Sequence, residues 1–269
     1  MEVAAKTVLI TGGTSGIGKA LAIRFAHAGF NVVVSGRDAD RLSAIKSILD
    51  AMHIKNRCVQ SDVSKEADCR SLIDAAVKEF GGIDVLINNA GISMRALFAD
   101  LHLEVIQKLM DINFWGTVYC TKYALPYLLQ RKGSVVGISS IAGKNGLPGR
   151  TGYSASKFAM EGFLQALRTE NLQKGLHVLI ACPGFTESAI RGSALGPNGQ
   201  PQSESPRDEK SMMSAEKVAD MVYKAVSYRK RDLVLTRQGI LAVWLGRLFP
   251  SLSDQMVFKH MSKEPGSPF

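Results

Sequence analysis

Two periodicities alternate along the 269 residues. Short strand-like runs occur at 7–11, 31–35, 57–60, 84–87, 134–139, 177–181 and 232–235, of a length that suits buried strands. Between them apolar residues recur at helical spacing, as with Leu21, Ala22, Phe25 and Ala26 after the first run and again over 39–52. The alternation predicts an α/β fold: one domain, a doubly wound parallel sheet of about seven strands with helices on both faces. No repeat and no linker divides the chain. Residues 1–235 read as the domain proper, and 236–269 as an apolar and basic extension of it. The one irregular stretch is about 190–213, with Gly196-Pro197-Asn198-Gly199-Gln200-Pro201 and a Ser/Glu/Pro segment.

Composition adds bounds. At 46% hydrophobic the chain can bury a large core. Cys58, Cys69, Cys120 and Cys182 lack paired spacing, which predicts free thiols in a reducing, cytoplasmic setting. The five histidines are scattered, so no metal site is expected. No signal peptide is expected, because Thr7 already opens the first strand. A net charge of +9 suits anionic membranes, phosphate-bearing substrates or plain solubility. Nothing points to a nucleic-acid partner.

Two motifs carry chemistry. The run Val8-Leu9-Ile10 leads into Thr11-Gly12-Gly13-Thr14-Ser15-Gly16-Ile17-Gly18 and then a helix, the opening of a dinucleotide-binding unit. Gly12 allows the tight turn, Gly16 lets the backbone approach a pyrophosphate, and Gly18 lets the helix pack closely on the strand. The helix amino terminus offers free N–H groups and a positive dipole end to phosphates. Much later, Tyr153 and Lys157 stand one helical turn apart and share a face. An ammonium beside a phenol favours the phenolate, which suits a general acid/base near neutral pH.

In this order the motifs resemble the short-chain dehydrogenase/reductase family. Thr11-Gly-x-x-x-Gly-x-Gly18 matches its cofactor turn, including Thr14, Ser15 and Ile17. Asn88-Asn89-Ala90-Gly91 follows the strand Val85-Leu86-Ile87 as its second signature does. Asn113 in Asp111-Ile112-Asn113 matches its catalytic asparagine, Ser140 stands at its serine-to-tyrosine spacing, and Pro183-Gly184 matches the turn after its sixth strand. The resemblance runs from about Thr7 to Tyr228. It implies a Rossmann fold in which Asn113, Ser140, Tyr153 and Lys157 are catalytic. Ser140 and Tyr153 would stabilise a developing oxyanion. Tyr153 would transfer the proton, Lys157 would also hold the ribose hydroxyls, and Asn113 would hold a water that relays protons toward Lys157. Ser139 is expected to end the strand and point elsewhere. Asp62-Val63 resembles the adenine-contacting pair. Thr186 stands where the family has an aliphatic residue, and Ser188 keeps a hydroxyl for the carboxamide. The stretch 190–213 resembles the substrate lid.

Cofactor preference is read at the end of the second strand. An acid there binds the 2′-hydroxyl of NAD, and a nearby arginine accommodates the 2′-phosphate of NADP. Here Ser35-Gly36-Arg37 puts glycine at the acidic position and a guanidinium beside it, which predicts NADP(H). Asp38 comes too late and reads as an N-cap for the next helix.

The tail bears on location. Residues 229–263 hold seven Lys/Arg and two Asp/Glu around the apolar run 239–249. That run is far short of the ~20 residues that span a bilayer. Ile240, Leu241, Trp244, Leu245 and Leu248 would form one face of a helix. The face would be buried against the substrate pocket, another subunit or a membrane surface, the last giving peripheral contact through 236–263. The family resemblance implies a homodimer or homotetramer. From Lys217 onward the pattern resembles lipid- and steroid-type reductases with a membrane-proximal helix. The expected activity is therefore NADP(H)-dependent reduction of a ketone to a secondary alcohol, or the reverse, on an apolar lipid- or steroid-like substrate. A soluble small-ketone or 3-oxoacyl reductase is the alternative enzyme. An NADP-binding regulator is the alternative outside catalysis.

Overall fold

The structure, a computed structural model, describes residues 5–184, 193–202, 212–263 and 267. Seven strands form one parallel sheet in the order β3-β2-β1-β4-β5-β6-β7. They are β1 (Thr7–Ile10), β2 (Asn31–Gly36), β3 (Asn56–Gln60), β4 (Val85–Asn88), β5 (Ser134–Ile138), β6 (His177–Cys182) and β7 (Asp232–Val234). The predicted strands appear, each with a shift of no more than a residue or so at its ends. β7 is the shortest and pairs only with β6.

Strand pleating explains why the runs are continuously apolar. Val8, Ile10, Val32, Val34, Val85 and Ile87 face one side and pack with helices α1 (Gly16–His27), α2 (Ala39–Ala51) and α7 (Ala215–Ser227). Leu9, Val33, Leu86, Val135 and Val178 face the other, against α3 (Glu66–Phe80), α5 (Gly116–Gln130) and α6 (Thr151–Glu170). Both faces are covered, so both parities of the central strands must be apolar, whereas the edge strands β3 and β7 keep polar, exposed positions. Asp38 caps α2 as predicted, accepting from the Arg41 backbone N–H at 3.0 Å.

The chain leaves β1 in one direction through β2 and β3, and returns to pair β4 on the other side of β1. Crossovers therefore diverge above the carboxyl ends of β1 and β4, the switch point where ligands bind in such sheets. A third, smaller apolar cluster lies beyond that edge: Met94, Leu101, Val105, Leu109 and Leu195, with Tyr153 packed against it. Leu195 belongs to the segment 193–202, within the stretch read as a lid. It is pinned by Leu195 N–H to Ser93 O (2.9 Å) and Arg95 N–H to Leu195 O (2.8 Å). Residues 190–192 and 203–211 of that stretch lie outside the described residues.

A helix does form in the tail. It is α8 (Arg237–Leu248), and it packs on a second one, α9 (Pro250–Met261). Its orientation sets aside one of the three expected covers for its apolar face, the substrate pocket. The opposite, small-residue stripe faces the body: Gly239 is buried beside Ile141, Gly246 lies against Asn145, and Asn145 Nδ2 donates to Ala242 O at 2.7 Å. A Cβ at Gly246 would come within 2.6 Å of Asn145 Oδ1, so the helix sits this close only because that stripe is small. Ile240, Leu241, Trp244 and Leu248 are consequently exposed, at 44% to 60%. Among the described residues no helix is long and apolar enough to cross a membrane.

Candidate active site

A cavity of about 480 Å³ opens at the switch point and runs from the glycine turn to the amino end of α6. Its outer end is built by the turn Thr11–Ser15 and the first residues of α1. Gly12 has φ +61°, in the left-handed region, and a Cβ there would lie 2.9 Å from Ala90 Cα. A Cβ at Gly18 would come within 2.2 Å of Gly12 O and 2.5 Å of Asn89 Nδ2. Gly18 therefore lets the helix pack on the turn itself and on the end of β4, rather than on β1 as the sequence suggested.

The turn is knotted to β4 by side chains. Asn89 Nδ2 donates to Thr11 O (2.9 Å) and Gly12 O (3.0 Å), while Thr11 Oγ1 accepts from the N–H groups of Asn89 and Ala90 at 3.0 Å each. These bonds satisfy the turn's carbonyls and leave the N–H groups at the start of α1 facing the cavity. Thr14, Ser15, Gly16, Ile17 and Gly18 line it, as do Asn89, Ala90 and Gly91. This arrangement is suited to a diphosphate.

At the far side of the turn stand Ser35, Gly36, Arg37, Asp62 and Val63, all lining the cavity. A Cβ at Gly36 would strike Thr14 at 2.7 Å, so the position has no room for an acid in this packing. Arg37 is exposed, with its carbonyl accepting from Gln60 Nε2 at 2.9 Å. Burial pushes the Asp62 carboxyl up. The Ser64 N–H and hydroxyl on Oδ1, with Arg37 and Lys65 nearby, outweigh it and hold Asp62 below the usual carboxylate range. Ser35 Oγ and Ser61 Oγ are buried without a hydrogen-bond partner. Two orphaned hydroxyls beside a cradle of glycines fit a polar ligand such as the adenosine end of a dinucleotide.

The inner end holds Ser140, Tyr153 and Lys157. Tyr153 and Lys157 leave one face of α6, with the Lys157 Nζ 6.0 Å from the Tyr153 ring centroid. Lys157 is 3% exposed, and its Nζ donates to Ile138 O at 2.8 Å. Burial pulls its ammonium down to about 8. Ser140 caps a short 3₁₀ turn (Ile141–Gly143), its Oγ accepting from Ala142 N–H at 3.2 Å. Ser139 turns away as expected, donating from Oγ to Glu161 Oε1 at 2.6 Å.

Asn113 lies behind this group, fully buried in a π-helical turn (Met110–Trp115) between α4 (Leu103–Leu109) and α5. Its Nδ2 donates to Ile92 O (3.0 Å) and Ser156 Oγ (2.9 Å), and its Oδ1 accepts from Ile92 N–H at 2.9 Å. Both amide hydrogens are spent on these partners. A water held by Asn113 therefore meets a carbonyl oxygen and not the NH₂. Pro183 and Gly184 line the cavity beside β6, and Thr186 and Ser188 lie outside the described residues.

Comparison with known proteins gives the family. The short chain dehydrogenase model matches residues 6–196. The chain is a short-chain dehydrogenase/reductase.

It is 35% identical over 258 residues to dehydrogenase/reductase SDR family member 7B of Xenopus laevis, covering 92% of this chain and 79% of that one. It is 32% identical over 264 residues to the SDR family protein 7-like of Drosophila melanogaster, covering 96% and 81%. Two solved structures share the fold. One is a short chain dehydrogenase/reductase from Burkholderia phymatum in complex with NAD (TM-score 0.82, 23% identity, 94% and 96% covered). The other is the alcohol dehydrogenase of Thermococcus sibiricus complexed with 5-hydroxy-NADP (TM-score 0.77, 24% identity, 86% and 96% covered). Family membership makes this chain an oxidoreductase that uses a nicotinamide dinucleotide, and the glycine cradle and orphaned hydroxyls suit one.

The short-chain dehydrogenase/reductase site also contains residues that sequence reading passed over. Arg41 lines the cavity rim, its Nε 3.2 Å from Asp38 Oδ2. Its position one helical turn past Arg37 is the signal that would have found it. Ser93, Leu147 and Arg150 wall the inner end, and the buried Arg150 guanidinium lies 3.4 Å from Ser93 Oγ. No spacing rule reveals these, because Ser93 comes from one loop and Leu147 and Arg150 from another.

The Asn89 knot generates a prediction. Asn89→Ala leaves two turn carbonyls unpaired, a loss of about 1–3 kcal/mol borne mainly by the cofactor-ready turn. Fluorescence titration should show binding of the reduced nicotinamide dinucleotide at least ~5-fold weaker with the thermal midpoint lowered. Unchanged affinity would mean the knot does not shape the cradle.

Proposed function

We propose that this protein is an NADP(H)-dependent reductase of ketones, or dehydrogenase of the matching secondary alcohols, acting on an apolar lipid- or steroid-like substrate. What carries the reading is the juxtaposition in one cavity of a phosphate-ready glycine turn with Ser140, Tyr153 and Lys157.

A bound nicotinamide supplies or accepts the hydride. Gly12, Thr14 to Gly18, Asp62, Val63, Asn89 to Gly91, Pro183 and Gly184 would hold the dinucleotide, with Ser35, Arg37 and Arg41 at its adenosine end. Preference for NADP(H) is supported by Gly36, which offers no acid to repel a 2′-phosphate, and by two guanidinium groups on the same rim. In the reductive direction the Ser140 and Tyr153 hydroxyls donate to the carbonyl oxygen of the substrate, and Tyr153 yields its proton to it. The Lys157 ammonium stabilises the phenolate left behind. Asn113 holds Ile92 and Ser156 in place, and so fixes the wall behind Tyr153.

The apolar substrate is supported by the tail. Trp244, Leu248, Phe249 and Leu252 are exposed on α8, α9 and the bend between them, and the segment 236–263 also carries exposed Arg237, Arg247, Lys259 and Lys263 against one acid, Asp254. An apolar patch rimmed by cations suits the surface of an anionic bilayer. A second reading, a reductase of polar or acyl ketones, is favoured by the buried Arg150 in the inner wall. An NADP-binding regulator is set apart from both by its lack of turnover.

Three outcomes follow. Tyr153→Phe should cut kcat by at least ~10² in an NADPH-oxidation screen across ketones, with NADPH binding kept. Wild-type turnover in that variant contradicts the chemistry. Arg37→Ala should weaken NADPH by roughly 1.5–3 kcal/mol and leave NADH nearly unchanged. An equal loss for both, or a wild type that prefers NADH, contradicts the cofactor reading. In co-sedimentation with phosphatidylserine vesicles the wild type should bind and a Trp244→Glu/Leu248→Glu variant should not, with turnover on a water-soluble ketone kept. A wild type that stays in the supernatant contradicts membrane contact.

A further inference from the structure

Behind the inner end of the cavity lies a buried carboxylate that the mechanism above does not use. Glu161 follows Lys157 by one helical turn, so Tyr153, Lys157 and Glu161 form one row along α6. Glu161 is 3% exposed. Three segments converge on it. Ser139 Oγ, just past β5, donates to Oε1 at 2.6 Å. Lys144 Nζ, just past the 3₁₀ turn, stands 2.6 Å from Oε2 and is itself 90% covered, its side chain 10% exposed. Cys182 Sγ, at the end of β6, donates to Oε1 at 3.4 Å. Access depends on Gly143, where a Cβ would lie 2.5 Å from Ser139 Oγ and 2.6 Å from Glu161 Oε1.

Ser139 and Lys144 bracket the turn that presents Ser140. One carboxylate thus ties both ends of that turn to the helix that presents Tyr153 and Lys157. Burial alone would favour a neutral Lys157 amine. The groups around the lysine are the Ile138 carbonyl at 2.8 Å, Gly91 and Asn113 toward the cavity, and Cys182 and Glu161 behind. Burial, with Glu161 beside it, pushes the Cys182 thiol far above its ordinary range, so it is neutral where Lys157 titrates. The negative charge that Lys157 meets is then that of Glu161, shared with Lys144.

We propose that Glu161 is a positioning residue: its carboxylate sets the Ser140 turn against α6 and keeps the positive charge on Lys157. The proposal rests on the reductase reading for its effect on turnover, but not for its effect on Lys157. Removing the charge should make Lys157 release its proton at lower pH, so that the form needed beside the Tyr153 phenolate is lost earlier as pH rises.

The direct test is a carbon-13 NMR titration of the Lys157 ε-carbon, assigned by its disappearance in Lys157→Met. The wild-type midpoint is expected at about 8. In Glu161→Gln it should fall by at least ~0.5 unit, and the alkaline limb of the kcat profile should move down with it. A midpoint that stays in place or rises overturns the charge role. Ser139→Ala, which keeps every charge and cuts one tie, should lower kcat several-fold with the midpoint unmoved. Wild-type kcat there overturns the positioning role. If Glu161→Gln does not fold, Glu161→Asp takes its place, and its carboxylate, one methylene further back, should lower both the midpoint and kcat; an unmoved midpoint overturns the proposal. Should the midpoint shift as expected while Tyr153→Phe retains turnover, the reaction assignment has failed and the placement of Glu161 has not.

Discussion

Everything at this site depends on the parallel pairing of β1 with both β2 and β4. Because the strands run the same way, all their carboxyl ends meet at one edge. Because the chain departs from β1 toward β2 and comes back to β4, the covering helices diverge there and leave a crevice. The glycine turn fills the mouth of that crevice only because Thr11 and Asn89 satisfy its polar groups across β1 and β4. A cavity whose walls come from two neighbouring strands needs such cross-links, since neither wall is continuous in sequence.

The inner end rests on α6. Spacing of four along that helix sets Tyr153 and Lys157 toward the cavity and Glu161 toward the ends of β5 and β6. Rigidity at this end is dense: Lys157 is bonded to Ile138, Glu161 to Ser139 and Lys144, and Asn113 to Ile92 and Ser156. The wall beyond Tyr153 is softer in chemistry, a small cluster around Met94 and Leu195 that the segment 193–202 helps to close. A site fixed by polar bonds at its reacting end and closed by an apolar cluster beyond Tyr153 can keep one reaction while the cluster sets what fits.

Much of this was legible from local pattern. The central strands announced themselves because both of their faces are buried, and the glycine turn and Tyr153/Lys157 pair are short-range motifs whose spacing is their meaning. Other features were not, for reasons that are physical. Glu161 reads as an ordinary polar residue on a helix until three separate segments close on it. Arg150 and Ser93 meet only through the fold. Asn113 stands out by family resemblance, but the bonds of its amide hydrogens to Ile92 and Ser156 exist only in the fold. In the tail the periodicity correctly marked a helix, but it left open which of three covers its apolar face meets. Docking was decided by the small residues Gly239 and Gly246, which let α8 approach Ile141 and Asn145 and turned the large side chains outward. A hydrophobic face says that something should cover it, and does not say whether that cover is in the same chain.

The central claim is that hydride passes between a nicotinamide and a carbonyl carbon held by Ser140 and Tyr153. Its most direct test uses NADPH carrying deuterium at both C4 positions of the nicotinamide, with any ketone that supports turnover. The account predicts deuterium on the carbinol carbon of the product, none exchanged with water, and a primary isotope effect on single turnover. Product free of deuterium would contradict it.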